Sequence, residues 1–278
     1  MAEKKLRVGC YGAKGSYTYD AMERQFGQRE REESYFSLFE DVTKAVAEGT
    51  IDYGVVPIEN SSTGGITEVY DLIRKYGCAV VGEQLVKIEH HLLALPGVSQ
   101  EEIDTVYSHP QGFAQCRPFL NEHREWKLKP YFSTSRSAER VAQDGLRNQA
   151  AVASRTAARL YGLSVIAENI YFNASNYTRF FIIAPKMEIK ADSDKITLVI
   201  SVPHEPGALY HVLGYFFYGG MNMTHLESRP MEEKPFEYFF HIDVMGRLED
   251  PANAQTLRGL RSMCTYFKVL GNYPSFRE

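Results

Sequence analysis

The chain has 278 residues, of which 44% are apolar and 24% charged, and its formal net charge is −4. That make-up suits a globular protein long enough for two domains. It argues against nucleic acid or a membrane surface as the main partner, because the basic residues are scattered and no apolar run approaches the roughly 20 residues of a membrane span. Cys10, Cys78, Cys116 and Cys264 lie far apart with no CxxC pair, so neither a disulfide framework nor a zinc site is expected. Reduced thiols in a cytoplasmic protein are the expectation, and the N-terminal segment has no apolar stretch of signal-peptide length.

In chain order, LRVGCYG (6–12) predicts a strand ending in a glycine turn, and residues 16–26 a helix. IDYGVVPI (51–58) predicts a strand closed by Pro57. ITEVYDLIRKYG (66–77) predicts a helix with Ile66, Val69, Tyr70 and Ile73 on one face and Gly77 as its C-cap. DTVYSHP (104–110) predicts a strand and a helix start. SAERVAQDG (137–145), AAVAS (150–154) and LSVIAENI (163–170) continue the alternation, which implies an α/β fold with a largely parallel sheet.

Near residue 186 the pattern changes. KMEIKADSDK is charged and aperiodic and predicts a linker over 186–194 between residues 1–185 and 195–278. Beyond it, ITLVISV (196–202), MNMTHLESRP (221–230), FEYFFHIDVMG (236–246) and TYFKVLGNYP (265–274) read as strands. PGALYHVLGYFFYGG (206–220) and PANAQTLRGLRSMC (251–264) read as helices. The order βαββαβ is a ferredoxin-like pattern.

Several segments carry candidate chemistry. Gly9, Gly12 and Gly15 follow a strand but do not form the dinucleotide fingerprint, and no P-loop occurs. The turn either offers backbone amides to an anion or simply needs glycine. In PIENSSTGGI, Asn60 and Ser61 either cap the next helix or face a ligand crevice at a strand end. In YSHPQGFAQC, Ser108 is an N-cap or a ligand group, Pro110 opens a helix, and Gln111 and Gln115 share a face. In the pair His90-His91 one member is expected to be a packed residue rather than a ligand. Thr134 and Ser135 either cap a helix or bind a carboxylate at its N-terminus. Thr178-Arg179 puts a hydroxyl donor beside a fixed cation where the apolar run Phe180–Ile183 begins. Arg179 can pair bidentately with a carboxylate, and a threonine hydroxyl in a dry site can donate to a leaving oxygen. The alternative is a strand-edge threonine beside a surface arginine. The eight histidines form no HxH or HxxxH cluster with carboxylates, so no metal is expected.

Taken together, GAKGSYT, PIENS, SHPQ followed by AQC, NYTRF, PGAL and ESRP resemble prephenate dehydratase end to end, in order and spacing. The resemblance implies a two-lobed, periplasmic-binding-protein-like catalytic domain with its site in the cleft, followed by an ACT domain that senses phenylalanine. It puts the catalytic threonine at Thr178. Substrate-holding groups fall at Asn60, Ser61, Ser108, Gln115, Thr134, Ser135, Arg179 and Phe180, and phenylalanine-binding residues at Gly207, Ala208, Leu209, Asn222, Glu227, Ser228 and Arg229. Two departures from the family pattern are Ala13, where proline is common, and Gly112 after SHPQ; neither removes a functional group.

The implied reaction is loss of water and carbon dioxide from prephenate to give phenylpyruvate, driven by aromatisation. No cofactor is implied, and a homodimer or homotetramer is expected. Thr178 would donate to the leaving oxygen, and Arg179 would fix the side-chain carboxylate. Asn60, Ser108 and Gln115 would position the ring. Arogenate dehydratase is the runner-up reading, and a non-catalytic amino-acid sensor is the reading from another class.

Overall fold

The structure, a computed structural model, describes residues 5–27, 29–231 and 234–277. In chain order its elements are β1 (Leu6–Tyr11), α1 (Tyr17–Phe26), β2 (Arg31–Phe36), α2 (Phe39–Ala47), β3 (Tyr53–Asn60), β4 (Gly64–Gly65), α3 (Thr67–Tyr76), β5 (Ala79–Lys87) and β6 (His91–Ala94). They continue with β7 (Thr105–Ser108), α4 (Pro110–Gln115), α5 (Arg117–Asn121), β8 (Lys127–Pro130), α6 (Thr134–Asp144), β9 (Gln149–Ala153), α7 (Arg155–Tyr161), β10 (Ser164–Ala167) and β11 (Tyr177–Ala184). The last are β12 (Lys195–Ser201), α8 (Ala208–Tyr218), β13 (Met223–Pro230), β14 (Tyr238–Met245), α9 (Pro251–Met263) and β15 (Tyr266–Tyr273). Two compact units result: Met1–Leu38 with Asn60–Gly64 and Leu85–Phe180, and Phe39–Glu59 with Gly65–Gln84 and Phe181–Glu278.

In the first unit a five-stranded sheet has the order β10-β6-β9-β7-β8. Its inner strands β6, β7 and β9 are short and buried, so alternate side chains enter cores on both faces, while β8 at the edge is exposed. Leu92, Val106, Ala150 and Val152 face one core with Trp126, while Leu93, Tyr107, Ala151 and Ala153 face the other with Val141 and Ala157. Pairing is parallel for β7 with β8 and β9, and antiparallel for β6 with β9 and β10. The expected largely parallel sheet is therefore a mixed one. A strand buried on both faces reads the same whichever way it runs, so apolar runs do not encode direction. Elsewhere in this unit β1 pairs with β2 in parallel.

In the second unit, β12-α8-β13-β14-α9-β15 forms a four-stranded antiparallel sheet of order β13-β14-β12-β15. On one face Ile196, Leu198, Ile200, Ile242 and Val244 pack against Val212 and Phe216 of α8 and Leu257 and Leu260 of α9. The intervening residues of β12 and β14 include a buried polar set: Thr197 donates to Asp243 at 2.6 Å, and His241 is fully buried. That second face is covered by α3, whose Tyr70 ring lies 4.7 Å from His241, and by the strand carrying Glu83, which pairs with buried Lys195 at 2.5 Å. At Gly271 an added Cβ would sit 2.1 Å from the Val80 carbonyl oxygen, so only glycine permits that backbone approach.

Residues 186–194 form no strand or helix, yet they are pinned. Ser193 is buried and donates to the Asn272 carbonyl at 3.2 Å, and Asp194 accepts from the Ser275 amide at 2.6 Å.

Candidate active site

Three expectations about local structure change. Pro57 does not close its strand: β3 runs through it to Asn60, and α3 begins only at Thr67, so neither Asn60 nor Ser61 caps a helix. Ser133 caps α6 by accepting from the Arg136 amide at 3.1 Å, so Thr134 and Ser135 are first-turn residues and Ser135 is fully buried. Likewise His109, not Ser108, caps α4. Ser133 and His109 each have the extended backbone a cap requires.

Asn60 is the centre of the site. Its Oδ1 accepts from the Ser62 and Thr63 amides at 2.9 and 3.1 Å, which turns its Nδ2 the other way. Nδ2 then donates to Asn176 Oδ1 at 2.8 Å and to Thr178 Oγ1 at 2.9 Å. Asn60, Asn176 and Thr178 are all buried. Because Thr178 accepts from Asn60, its own hydroxyl proton is left to donate elsewhere. Ser61 braces the same pairing: its Oγ donates to the Ser175 carbonyl at 2.9 Å and accepts from the Tyr177 amide at 2.9 Å. Asn173 donates to Ser62 Oγ at 2.9 Å. The two motif segments are thus laced together along the residues that lead into Thr178.

Thr178 and Arg179 are consecutive in β11, and consecutive strand residues point to opposite faces. Thr178 shares its face with Phe180, which is a core residue at 2% exposure, while Arg179 is half-buried on the other. The side-by-side pair suggested by adjacency in sequence is replaced by this alternation.

Ser108, fully buried at the end of β7, donates to the Val152 carbonyl at 2.9 Å. A Cβ on Gly112 would come within 2.5 Å of Ser108 Oγ and 3.2 Å of Thr134 Cγ2, so glycine here lets the three residues meet.

Gln115 belongs to a third group. Its Oε1 lies 2.7 Å from His90 Nε2, and His90 Nδ1 lies 3.0 Å from the Tyr17 hydroxyl, which also reaches the Glu89 carbonyl at 2.7 Å. Burial pushes the His90 pKa down to about 4, so the imidazole is neutral near pH 7. With Nε2–H donating to Gln115, Nδ1 accepts, and the Tyr17 hydroxyl proton is shared between Nδ1 and the Glu89 carbonyl. Tyr17, His90 and Asn176 were not among the sequence candidates. Tyr17 directly follows the GAKGS turn, and that adjacency is the one signal that pointed to it. Among the described residues no cluster of histidine, cysteine and carboxylates could hold a metal.

In the second unit, Gly207 holds φ +83 as the residue before α8. Ala208 and Leu209 line a small cavity of about 130 Å³ with Pro203, Glu205, Tyr238 and Phe240. Arg229 instead pairs with Asp71 through Nε and Nη2 at 3.0 and 2.8 Å, and Glu227 lies against Gly65. Asn222 is exposed and offers its carbonyl to the Met245 amide at 2.8 Å, and Ser228 is exposed on β13.

The prephenate dehydratase family profile matches residues 8–188. A bifunctional chorismate mutase/prephenate dehydratase of Escherichia coli strain K12 is 39% identical over 97% of this chain and 71% of its own length. The chain belongs to the prephenate dehydratase family. It is an enzyme, and its reaction is that of the family, conversion of prephenate to phenylpyruvate. Among solved structures, the prephenate dehydratase of Arthrobacter aurescens in complex with L-phenylalanine is 32% identical with a TM-score of 0.86, covering 97% of this chain and 90% of that one. GqqA, described as a novel type of quorum-quenching acylase, is 30% identical with a TM-score of 0.87, covering 97% and 98%. No helix among the described residues is long and apolar enough to cross a membrane.

Proposed function

We propose that this dehydratase works by donation from the Thr178 hydroxyl to the oxygen leaving the prephenate ring. The observation that carries the reading is the 2.9 Å hydrogen bond from Asn60 Nδ2 to Thr178 Oγ1, which makes the hydroxyl an acceptor toward Asn60 and leaves its proton for the substrate. As the bond to the ring carboxylate breaks, its electrons enter the ring and the C–O bond opposite breaks. The leaving hydroxide carries the hydrogen bond from Thr178 and becomes water with a proton drawn from solvent. A hydrogen bond prearranged where charge develops needs no reorganisation during the reaction. Ser61, Ser108, Gln115, Thr134 and Ser135 shape the pocket around the ring. Incubation with prephenate and detection of phenylpyruvate by its absorbance in base tests the activity. Arg179→Lys, which keeps charge but loses the planar fork, tests whether Arg179, on the face of β11 opposite Thr178, has a carboxylate role at all: a rise in KM supports one and an unchanged KM excludes it.

We also propose that residues 1–185 are the two-lobed catalytic domain and 195–278 a ferredoxin-like ACT domain that binds L-phenylalanine as feedback inhibitor. Support comes from the βαββαβ order with its antiparallel sheet, and from the phenylalanine complex of the Arthrobacter relative. The cavity beside Ala208 and Leu209 is the proposed effector site, with Gly207 allowing close backbone approach. The apolar groove of α8 and α9, with Tyr210, Phe217 and Tyr218 each at least 75% exposed, is the proposed face of a homodimer or homotetramer in the cytoplasm. Isothermal titration with phenylalanine and sedimentation of the full chain test these points.

A further inference from the structure

We propose that β13 is part of the catalytic machinery, with His225, Glu227 and Arg229 acting as positioning residues for the segment that carries Asn60. The inference rests on the reading of Asn60 as the group that holds Thr178.

Alternate residues of a strand share one face, and 225, 227 and 229 are the half-buried set of β13, while 226 and 228 are exposed. Each of the three meets the stretch 59–71. His225 Nδ1 lies 3.4 Å from Glu59 Oε2, and its Nε2 lies 2.8 Å from the Tyr70 hydroxyl, with the two rings stacked at 5.4 Å and 15°. In the tautomer with its proton on Nδ1, His225 accepts from Tyr70 and turns its N–H toward Glu59. The Glu227 carboxylate lies against Gly65, where an added Cβ would be 3.5 Å from Oε2. Arg229 grips Asp71 through two nitrogens on one oxygen.

These partners flank Asn60 closely. Glu59 precedes it by one bond, Gly65 follows at the end of the ENSSTG loop, and Tyr70 and Asp71 lie in the first turns of the next helix. The strand therefore holds both ends of the loop whose middle orients Thr178. Sequence motif alone assigned Glu227 and Arg229 to an amino-acid ligand. In the structure Arg229 is committed to Asp71 and Glu227 packs on Gly65. Reorienting β13 would shift the loop ends, and displacement of catalytic groups by about 1 Å can cost roughly 10²-fold in rate.

The test uses the near-isosteric variants Arg229→Gln and Asp71→Asn, singly and together, with Asn60→Ala in parallel. Folded fraction is measured by circular dichroism, and kcat and KM for prephenate are expressed per folded molecule. Each single variant is expected to lose about tenfold in kcat, part of the 10²-fold scale of misplacement, with KM within about twofold. The double variant should be no slower than the slower single, because both remove one shared interaction. A purely structural pair would lower the melting temperature and leave kcat per folded molecule intact. Retention of more than half of kcat in both single variants, with Asn60→Ala impaired, would overturn the inference. If Asn60→Ala is itself fully active, the Asn60 reading fails, and the positioning role fails with it.

Discussion

Asn60 and Thr178, 118 positions apart, are joined by one buried hydrogen bond in which the asparagine donates and the threonine accepts. The direction of that bond matters more than its existence. Were Thr178 the donor, its proton would be spent inside the protein. Asn60→Asp reverses it, because a carboxylate can only accept and would draw the hydroxyl proton to itself. We expect kcat to fall about 10²-fold, as when one prearranged donor is lost, with a smaller change in KM. Steady-state kinetics on the folded variant check this, and unaltered kcat would detach Asn60 from the chemistry.

Gly112→Ala should be destabilising out of proportion to its size. The new Cβ would fall 2.5 Å from Ser108 Oγ, which cannot retreat without giving up the Val152 carbonyl. Overpacking of this kind costs about 1–3 kcal/mol. Urea unfolding of Gly112→Ala, Ser108→Ala and the double variant tests the cause. Removal of the Ser108 oxygen should rescue part of the loss, whereas strict additivity would mean that the two residues do not collide.

Much of this was legible in the residues. The βαββαβ unit and the helix 66–77 with its glycine cap followed from periodicity, because Val69, Tyr70 and Ile73 recur at helical spacing and Gly77 adopts the left-handed conformation. Thr178 and Asn60 stood out in their motifs. What could not be read was direction and partner. Adjacent Thr178 and Arg179 look like a pair until β11 turns them to opposite faces. Arg229 looks like a ligand group until Asp71 is found opposite it. The strand β2, REESYF, carries too many charges to announce itself, and its half-buried side chains explain why. Such features depend on which elements become neighbours, and a single chain does not state that.

The acid sensitivity of the fold should report on His90. Its pKa in the folded chain is about 4, lowered by burial from the ordinary 6.5. An unfolded chain takes up this proton as pH falls through about 6.5, while the folded chain resists until near 4. Between those values the unfolded state binds more protons, so stability is full above about pH 6.5 and falls as the pH is lowered toward 4. The contribution is on the order of 3 kcal/mol. His90→Gln should flatten the pH dependence of the urea midpoint between pH 6.5 and 4, whatever it costs at pH 7. An unchanged slope would show that other groups govern acid unfolding.

His241 offers the opposite outcome. It is fully buried, both ring nitrogens lack a partner among the described residues, and burial pushes its pKa down to about 3. Its neighbour Tyr70 needs only a ring to pack on. His241→Phe should therefore stabilise the protein by about 1–3 kcal/mol, the usual cost of an unsatisfied buried polar group. A lowered melting temperature would mean that the imidazole makes a bond through water.

The most direct measurement of the central claim is the turnover of prephenate by Thr178→Ala. The wild-type chain should produce phenylpyruvate, read by its absorbance in base. The variant should fold normally, since only a hydroxyl and a methyl are lost, and its kcat should fall by about 10²–10³, the range for loss of one prearranged hydrogen bond to a developing charge. A folded Thr178→Ala protein that keeps more than about a tenth of wild-type kcat would contradict the account, because so small a loss lies outside what such a donor contributes.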